Sequence, residues 1–159
     1  MDDTAVDFAV AAWREDNLWQ LVTLPPRASE SLDLMIDALR AQPGETGTIG
    51  FVSIAEELFI ILRVRGEDVR LLISDVFAAE DWPLGIDALE RLGIPEEVEF
   101  EDSEPAGDLR IVDDLGIGPE EIELLLDDPE MWPDEVLASI AARIGFGEQF
   151  DLALEQLPD

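Results

Sequence analysis

The chain has 159 residues, 39 of them Asp or Glu against nine Arg, for a formal charge of -30, and it contains no Lys, His, Cys or Tyr. That set excludes a Ser-His-Asp or Cys-His nucleophile, a Schiff-base lysine, a Walker lysine and any thiolate or imidazole zinc site, leaving carboxylate chemistry or none. It also sets the chain against nucleic acid and anionic lipid, whose phosphates are bound by Lys and Arg, so the expected partner is a basic protein.

Hydrophobic residues make up 47% of the chain, too many for wholesale disorder. The start, Met1-Asp2-Asp3, lacks the basic region of a secretory signal, and the longest apolar run, residues 58–62, is far too short to cross a bilayer. No cysteine means no disulfide framework. A cytoplasmic location is expected, with no cofactor, no metal and no membrane contact. Solubility, adaptation to high salt and a partner-directed surface each produce such acidity.

Residues 1–94 read as an α+β domain. Val6, Phe8, Val10 and Ala12 alternate with Asp7 and small residues, and a turn at 15–17 leads into a second strand at 18–24, a hairpin ended by Pro25-Pro26. Leu32, Met35, Ile36 and Leu39 follow Ser29 and Ser31 at the spacing of an amphipathic helix that stops near Pro43-Gly44. Residues 49–54 form a third strand, and 58–65 with 69–76 form a hairpin around Gly66-Glu67. The unbroken apolar run at 58–62 predicts a central strand buried on both faces. A second helix is expected behind Asp81, with Trp82, Ile86 and Leu89 inward and Gly93 at its end. This order implies a five-stranded antiparallel sheet with covering helices, the element order of longin, roadblock and profilin-like architectures.

Residues 95–107 read as an acidic linker bounded by prolines and closed by Gly107. Residues 108–159 read as a small, acidic, all-helical segment. Asp108 is placed to cap a short helix carrying Leu109, Val112 and Leu115; Pro119 and Pro133 are placed to open the next two helices, and Gly145 to end the second. Phe146, Phe150, Leu152 and Leu154 mark a last helix. So small a core is marginal alone, so the segment is expected to pack on the sheet domain or on a partner.

Several runs across nearly the whole chain carry a resemblance: Val64-Arg65-Gly66, Leu71-Leu72-Ile73-Ser74-Asp75-Val76, Asp81-Trp82, Gly107-Asp108-Leu109, Asp114-Leu115-Gly116, Asp127-Asp128, Pro133-Asp134-Glu135, Ile140-Ala141-Ala142-Arg143 and Gly145-Phe146-Gly147-Glu148-Gln149-Phe150. In these the chain resembles a bacterial family of tRNA adenosine deaminase-associated proteins, named for a gene lying beside that of the deaminase. The resemblance implies an association with that enzyme and brings no catalytic residues with it. The chain is not itself the deaminase, because zinc nucleobase deaminases need a His-x-Glu and a Pro-Cys-x-x-Cys ligand set.

Two candidate sites stand out. Residues 95–159 hold 21 acidic residues against two Arg, and Asp113, Asp114, Asp127, Asp128, Glu130, Asp134 and Glu135 can line one surface beside Trp132, a seat for a basic partner with an aromatic anchor. The competing reading makes these carboxylates answers to helix dipoles over a solvated face, with Trp132 in the core like Trp82. The second site is Arg63, Arg65 and Arg70. A two-residue turn at Gly66-Glu67 puts all three on one sheet face with Arg63 opposite Arg70, and acidic residues of the linker or helices are expected to cover them. Its alternatives are a solvated hairpin tip and an anion site.

The reading is a non-catalytic acidic accessory or regulatory protein that binds a basic partner, with the tRNA adenosine deaminase foremost. The runner-up is a nucleic-acid mimic that blocks some other basic protein. A carboxylate or metal-dependent enzyme built on Asp127, Asp128, Glu130, Asp134 and Glu135 comes last, since their spacing is not that of a D-x-D-x-D-G calcium loop.

Overall fold

In a computed structural model, residues 6–42, 44, 47–94, 104–128 and 130–156 are described. Strands β1 (Val6–Glu15) and β2 (Leu18–Thr23) meet across Asp16 and Asn17, at φ 53° and 64°. Left-handed backbone at both central residues is the I′ turn geometry that matches strand twist, and Asp and Asn tolerate it best after glycine. Strand β3 (Thr48–Ile54) pairs antiparallel with β1, and β4 (Leu58–Arg65) and β5 (Asp68–Ile73) follow as successive antiparallel neighbours. Through residue 94 the order is strand-strand-helix-strand-strand-strand as predicted, but two helices follow the fifth strand where one was expected.

The sheet has six strands rather than five, in the order β2-β1-β3-β4-β5-β6. The sixth, β6 (Ala106–Gly107), lies inside the expected linker, whose residues 95–103 fall outside the described residues. Ala106 pairs with Ile73 and Gly107 with Leu72, so β6 caps the edge of β5. Two residues carry no alternation to read. What holds them is backbone pairing and a glycine at φ 112°, where a Cβ would stand 2.2 Å from the Leu71 carbonyl oxygen.

Helices cover both sheet faces. On one, Ala9, Ala11, Val52, Ile60, Leu62, Leu71 and Ile73 pack against α1 (Leu32–Arg40), α2 (Val76–Ala79) and α3 (Pro83–Arg91). Ser31 caps α1 by accepting from Leu34 N at 3.1 Å. The opposite positions, among them Phe8, Val10, Phe51, Phe59, Ile61 and Leu72, meet α4 (Pro119–Leu126), α5 (Pro133–Ile144) and α6 (Gly147–Glu155). Period-two alternation thus serves two cores, and residues 58–64 of β4 are all buried. Among the described residues no helix is long and apolar enough to cross a membrane.

Three helix expectations need correction. Trp82, not Asp81, stands at the N-cap of α3, because Pro83 takes the first helical position; Leu84, Ala88 and Leu89 then face inward and Ile86 is exposed. Helix α2, capped by Asp75 accepting from Ala78 N at 3.1 Å, occupies the end of the expected last strand and is too short to show a period. Asp108 caps no regular helix: its Oδ1 accepts from Arg110 N at 2.9 Å in a local turn, and the chain makes only a 3₁₀ turn, Asp113–Leu115, before α4.

Candidate functional site

The β4–β5 hairpin turns at Gly66, φ 60°, with Arg63 opposite Arg70 and Arg65 opposite Asp68. All four lie on the face that carries Phe59, Ile61 and Leu72, the face covered by the C-terminal helices. Arg63 is 4% exposed. Its guanidinium is held bidentately by Asp114, with Nη2 donating to Oδ2 at 2.9 Å and Nη1 to Oδ1, while Nη1 also donates to the Ile111 carbonyl at 3.1 Å. Arg63 Nε has no partner among the described residues. The hydrogen bond from Arg63 holds the Asp114 carboxyl below its ordinary pKa, against desolvation, with further help from the charges of Arg63 and Arg65.

Arg70 lies 3.4 Å from Asp68 and 3.9 Å from Asp108. Two carboxylates of the C-terminal segment, Asp108 and Asp114, therefore cover the arginine face, which neutralises the like-charge pair built into the strand register. A hollow of about 170 Å³ remains, lined by Arg63, Arg65, Arg70, Asp68, Asp113 and Asp114. Three cations face three carboxylates there, so the hollow is balanced in charge. Its evident work is to fasten residues 108–114 to the sheet.

The carboxylates expected on one surface divide into two groups. Asp113 and Asp114 sit beside Arg63 and Arg65. Asp127 and Asp128 line a different cleft with Phe59, Ser74 and Met131, at the opposite end of β4. Phe59 and Arg65 are six strand residues apart, about 20 Å at 3.3 Å per residue. The sequence kept these groups together because their separation in the chain is short; the fold runs α4 between them. Glu57, Asp75 and Glu104 also line the Asp127–Asp128 cleft and were missed. They come from three separate places in the chain, and no local spacing links them.

In the loop between α4 and α5, Trp132 is 58% exposed, not core, whereas Trp82 is half-buried against the α1–α3 core. Glu135 Oε1 accepts from Trp132 N at 3.0 Å and Asp128 Oδ1 from Glu130 N at 3.0 Å, so both carboxylates shape the loop. Asp134 and Glu135 stand in the first turn of α5, where the helix dipole favours negative charge. Asp127 and Asp128 follow the last turn of α4, where the dipole opposes it, and no basic residue stands in that turn. The dipole therefore accounts for two of these five carboxylates, Asp134 and Glu135, and leaves Asp127 unexplained. Among the described residues no group of three or more carboxylates is arranged to hold a metal ion.

No solved structure matches this chain. It is 31% identical over 158 residues, 98% of this chain and 91% of the relative, to Protein Rv3753c of Mycobacterium tuberculosis (strain ATCC 25618 / H37Rv). A family model described as Rv3753c-like tRNA adenosine deaminase-associated protein matches residues 7–147, which take in nearly all of the sheet, helices α1 to α5, the Arg63–Asp114 pair and the acidic loop. The chain belongs to that family of tRNA adenosine deaminase-associated proteins.

Proposed function

We propose that this protein is a non-catalytic cytoplasmic accessory that binds the tRNA adenosine deaminase and bears on tRNA modification through that contact. The observation that carries the reading is the exposed Trp132 at 58%, set in a loop with Asp127, Asp128 and Glu130 and followed by Asp134 in the first turn of α5. An exposed indole costs solubility and is the side chain most often found at the centre of binding energy, while a carboxylate rim selects a basic partner. An enzyme that grips a tRNA arm needs a basic surface, and an acidic protein of charge -30 is complementary to it. The family name supports the choice of partner.

Titration calorimetry of the two purified proteins tests this. A saturable complex that free tRNA displaces is the expected result, and no association even at low ionic strength would defeat the reading. Complexes of similar strength with unrelated DNA-binding proteins, all dissolving steeply with salt, would instead favour a nucleic-acid mimic acting by field alone.

A further inference from the structure

In α4, Ile122 is fully buried and Leu124, two positions on, points away from the core at 72% exposure, the highest of any large hydrophobic side chain among the described residues. A lone exposed leucine needs no explanation. This one borders a groove of about 460 Å³ between α4 and α5, where Leu124, Leu125 and Ile117 face Ala142. Glu121 and Arg143 form an ion pair that bridges the two helices across it.

The surroundings of Leu124 are acidic. Glu120, Glu121 and Asp127 lie at i−4, i−3 and i+3, its neighbours on a helix surface, with Glu123 beside it and Asp128 next along. Asp127 and Asp128 sit against the dipole, and Glu123 with Asp127 is a like-charge i, i+4 pair, so the arrangement is held at some cost to the helix. The charged lining of the groove, Glu121 and Arg143, is paired, and the carboxylates beside it on α4, Glu120, Glu123 and Asp127, make no ion pair among the described residues, so they select its occupant by charge. A second copy of this chain would bring the same carboxylates against each other, and an anionic membrane is repelled in the same way. A small polar ligand finds little to orient it, because the charged side chains of the walls, Glu121 and Arg143, already satisfy each other.

We infer that the α4–α5 groove, anchored on Leu124, is the docking seat for a basic amphipathic helix of the partner protein. Apolar side chains at i, i+3 or i+4 of that helix enter the groove beside Leu124 and Leu125, and its Lys or Arg residues meet Glu120, Glu123 and Asp127. This deepens the accessory reading and rests on it for the identity of the partner; the loop that joins the two walls of the groove is the one that carries Trp132.

The test is titration of the full-length protein with a synthetic helical peptide bearing leucines at i, i+3, i+4 and i+7 and lysines on its other face, beside a scrambled peptide of equal composition. The patterned peptide is expected to bind at least about tenfold more tightly than the scrambled one, and Leu124→Gln and Ala142→Phe should each remove about that factor. Both variants keep the charge of the chain, and both positions are exposed, so unchanged circular dichroism is the control. Equal binding of the two peptides, or unchanged binding by both variants, overturns the groove assignment. If the deaminase binds wild type and both variants alike, the groove assignment falls and the accessory reading stands. If the patterned peptide behaves as expected and the deaminase fails to bind wild type, the groove assignment stands and the choice of partner falls.

Discussion

Arg63 and Asp114 lie 51 residues apart in the chain and meet as a two-pronged ion pair, with Nη2 2.9 Å from Oδ2. The guanidinium is buried and the carboxylate is 49% exposed, so the two partners do not have equal stakes. Removing the carboxylate strands a desolvated cation. Removing the cation leaves an acid that water can reach.

Asp114→Asn should therefore destabilise the protein by about 1–3 kcal/mol, toward the lower end because solvent screens the pair. Arg63→Met, which fills similar space without charge, should cost less. Urea unfolding followed by circular dichroism gives both values, and a larger loss for Arg63→Met than for Asp114→Asn would contradict the asymmetry.

The same pair sets an acid limit. Arg63 depresses the folded-state pKa of Asp114, so the stability it adds is fully present above the unfolded-state value and is lost as pH falls through the folded one. Wild type and Asp114→Asn should differ most near neutrality and converge as pH drops below about 4, the ordinary range of an aspartate. Unfolding midpoints across that range check it; a gap that widens on acidification would reverse the sign.

Gly107→Ala should release β6. The added Cβ would stand 2.2 Å from the Leu71 carbonyl oxygen on a backbone held at φ 112°, so the strand must move away. A loss of about 2 kcal/mol or more is expected, with faster amide exchange at Asp108, whose N–H donates to Leu71 O at 2.9 Å. The unpaired edge of β5 should also raise aggregation. Unchanged exchange at Asp108 would show that β6 does not depend on this glycine.

What the sequence disclosed followed the strength of local signals. Pro119, Pro133 and Gly145 mark helix ends by chemistry that acts within one turn, and the apolar run at 58–62, set beside the Gly66-Glu67 turn, reads as a strand buried on both faces. The Gly66-Glu67 turn set a register in which Arg63 had to face Arg70, and that geometry called for neighbouring acid. Strand β6 and helix α2 are too short to show a period. The cleft formed by Glu57, Asp75, Glu104 and Asp127 is assembled by tertiary contact alone, and the division of Asp113 and Asp114 from Asp127 depends on how α4 crosses the sheet, which no spacing along the chain reveals.

Trp132 offers the sharpest separation of binding from folding. Its indole is 58% exposed, and the contact of its residue that shapes the loop is made by its backbone N–H to Glu135. Trp132→Ala should leave stability within about 0.5 kcal/mol of wild type, because the residue stands at the N-cap of α5 but its exposed side chain makes no cap hydrogen bond. Trp13 is buried and Trp19 and Trp82 are half-buried, so the variant should also lose most of the tryptophan emission that acrylamide quenches readily. Affinity for the deaminase should fall by about tenfold or more, because an aromatic anchor within a charged rim carries a disproportionate share of binding energy. Asp127→Asn, at a position that neither a favourable dipole nor a hydrogen bond accounts for, should weaken the same complex chiefly at low salt, where unscreened charge contributes most. A Trp132→Ala protein that folds normally and binds as tightly as wild type would remove the indole from the interface.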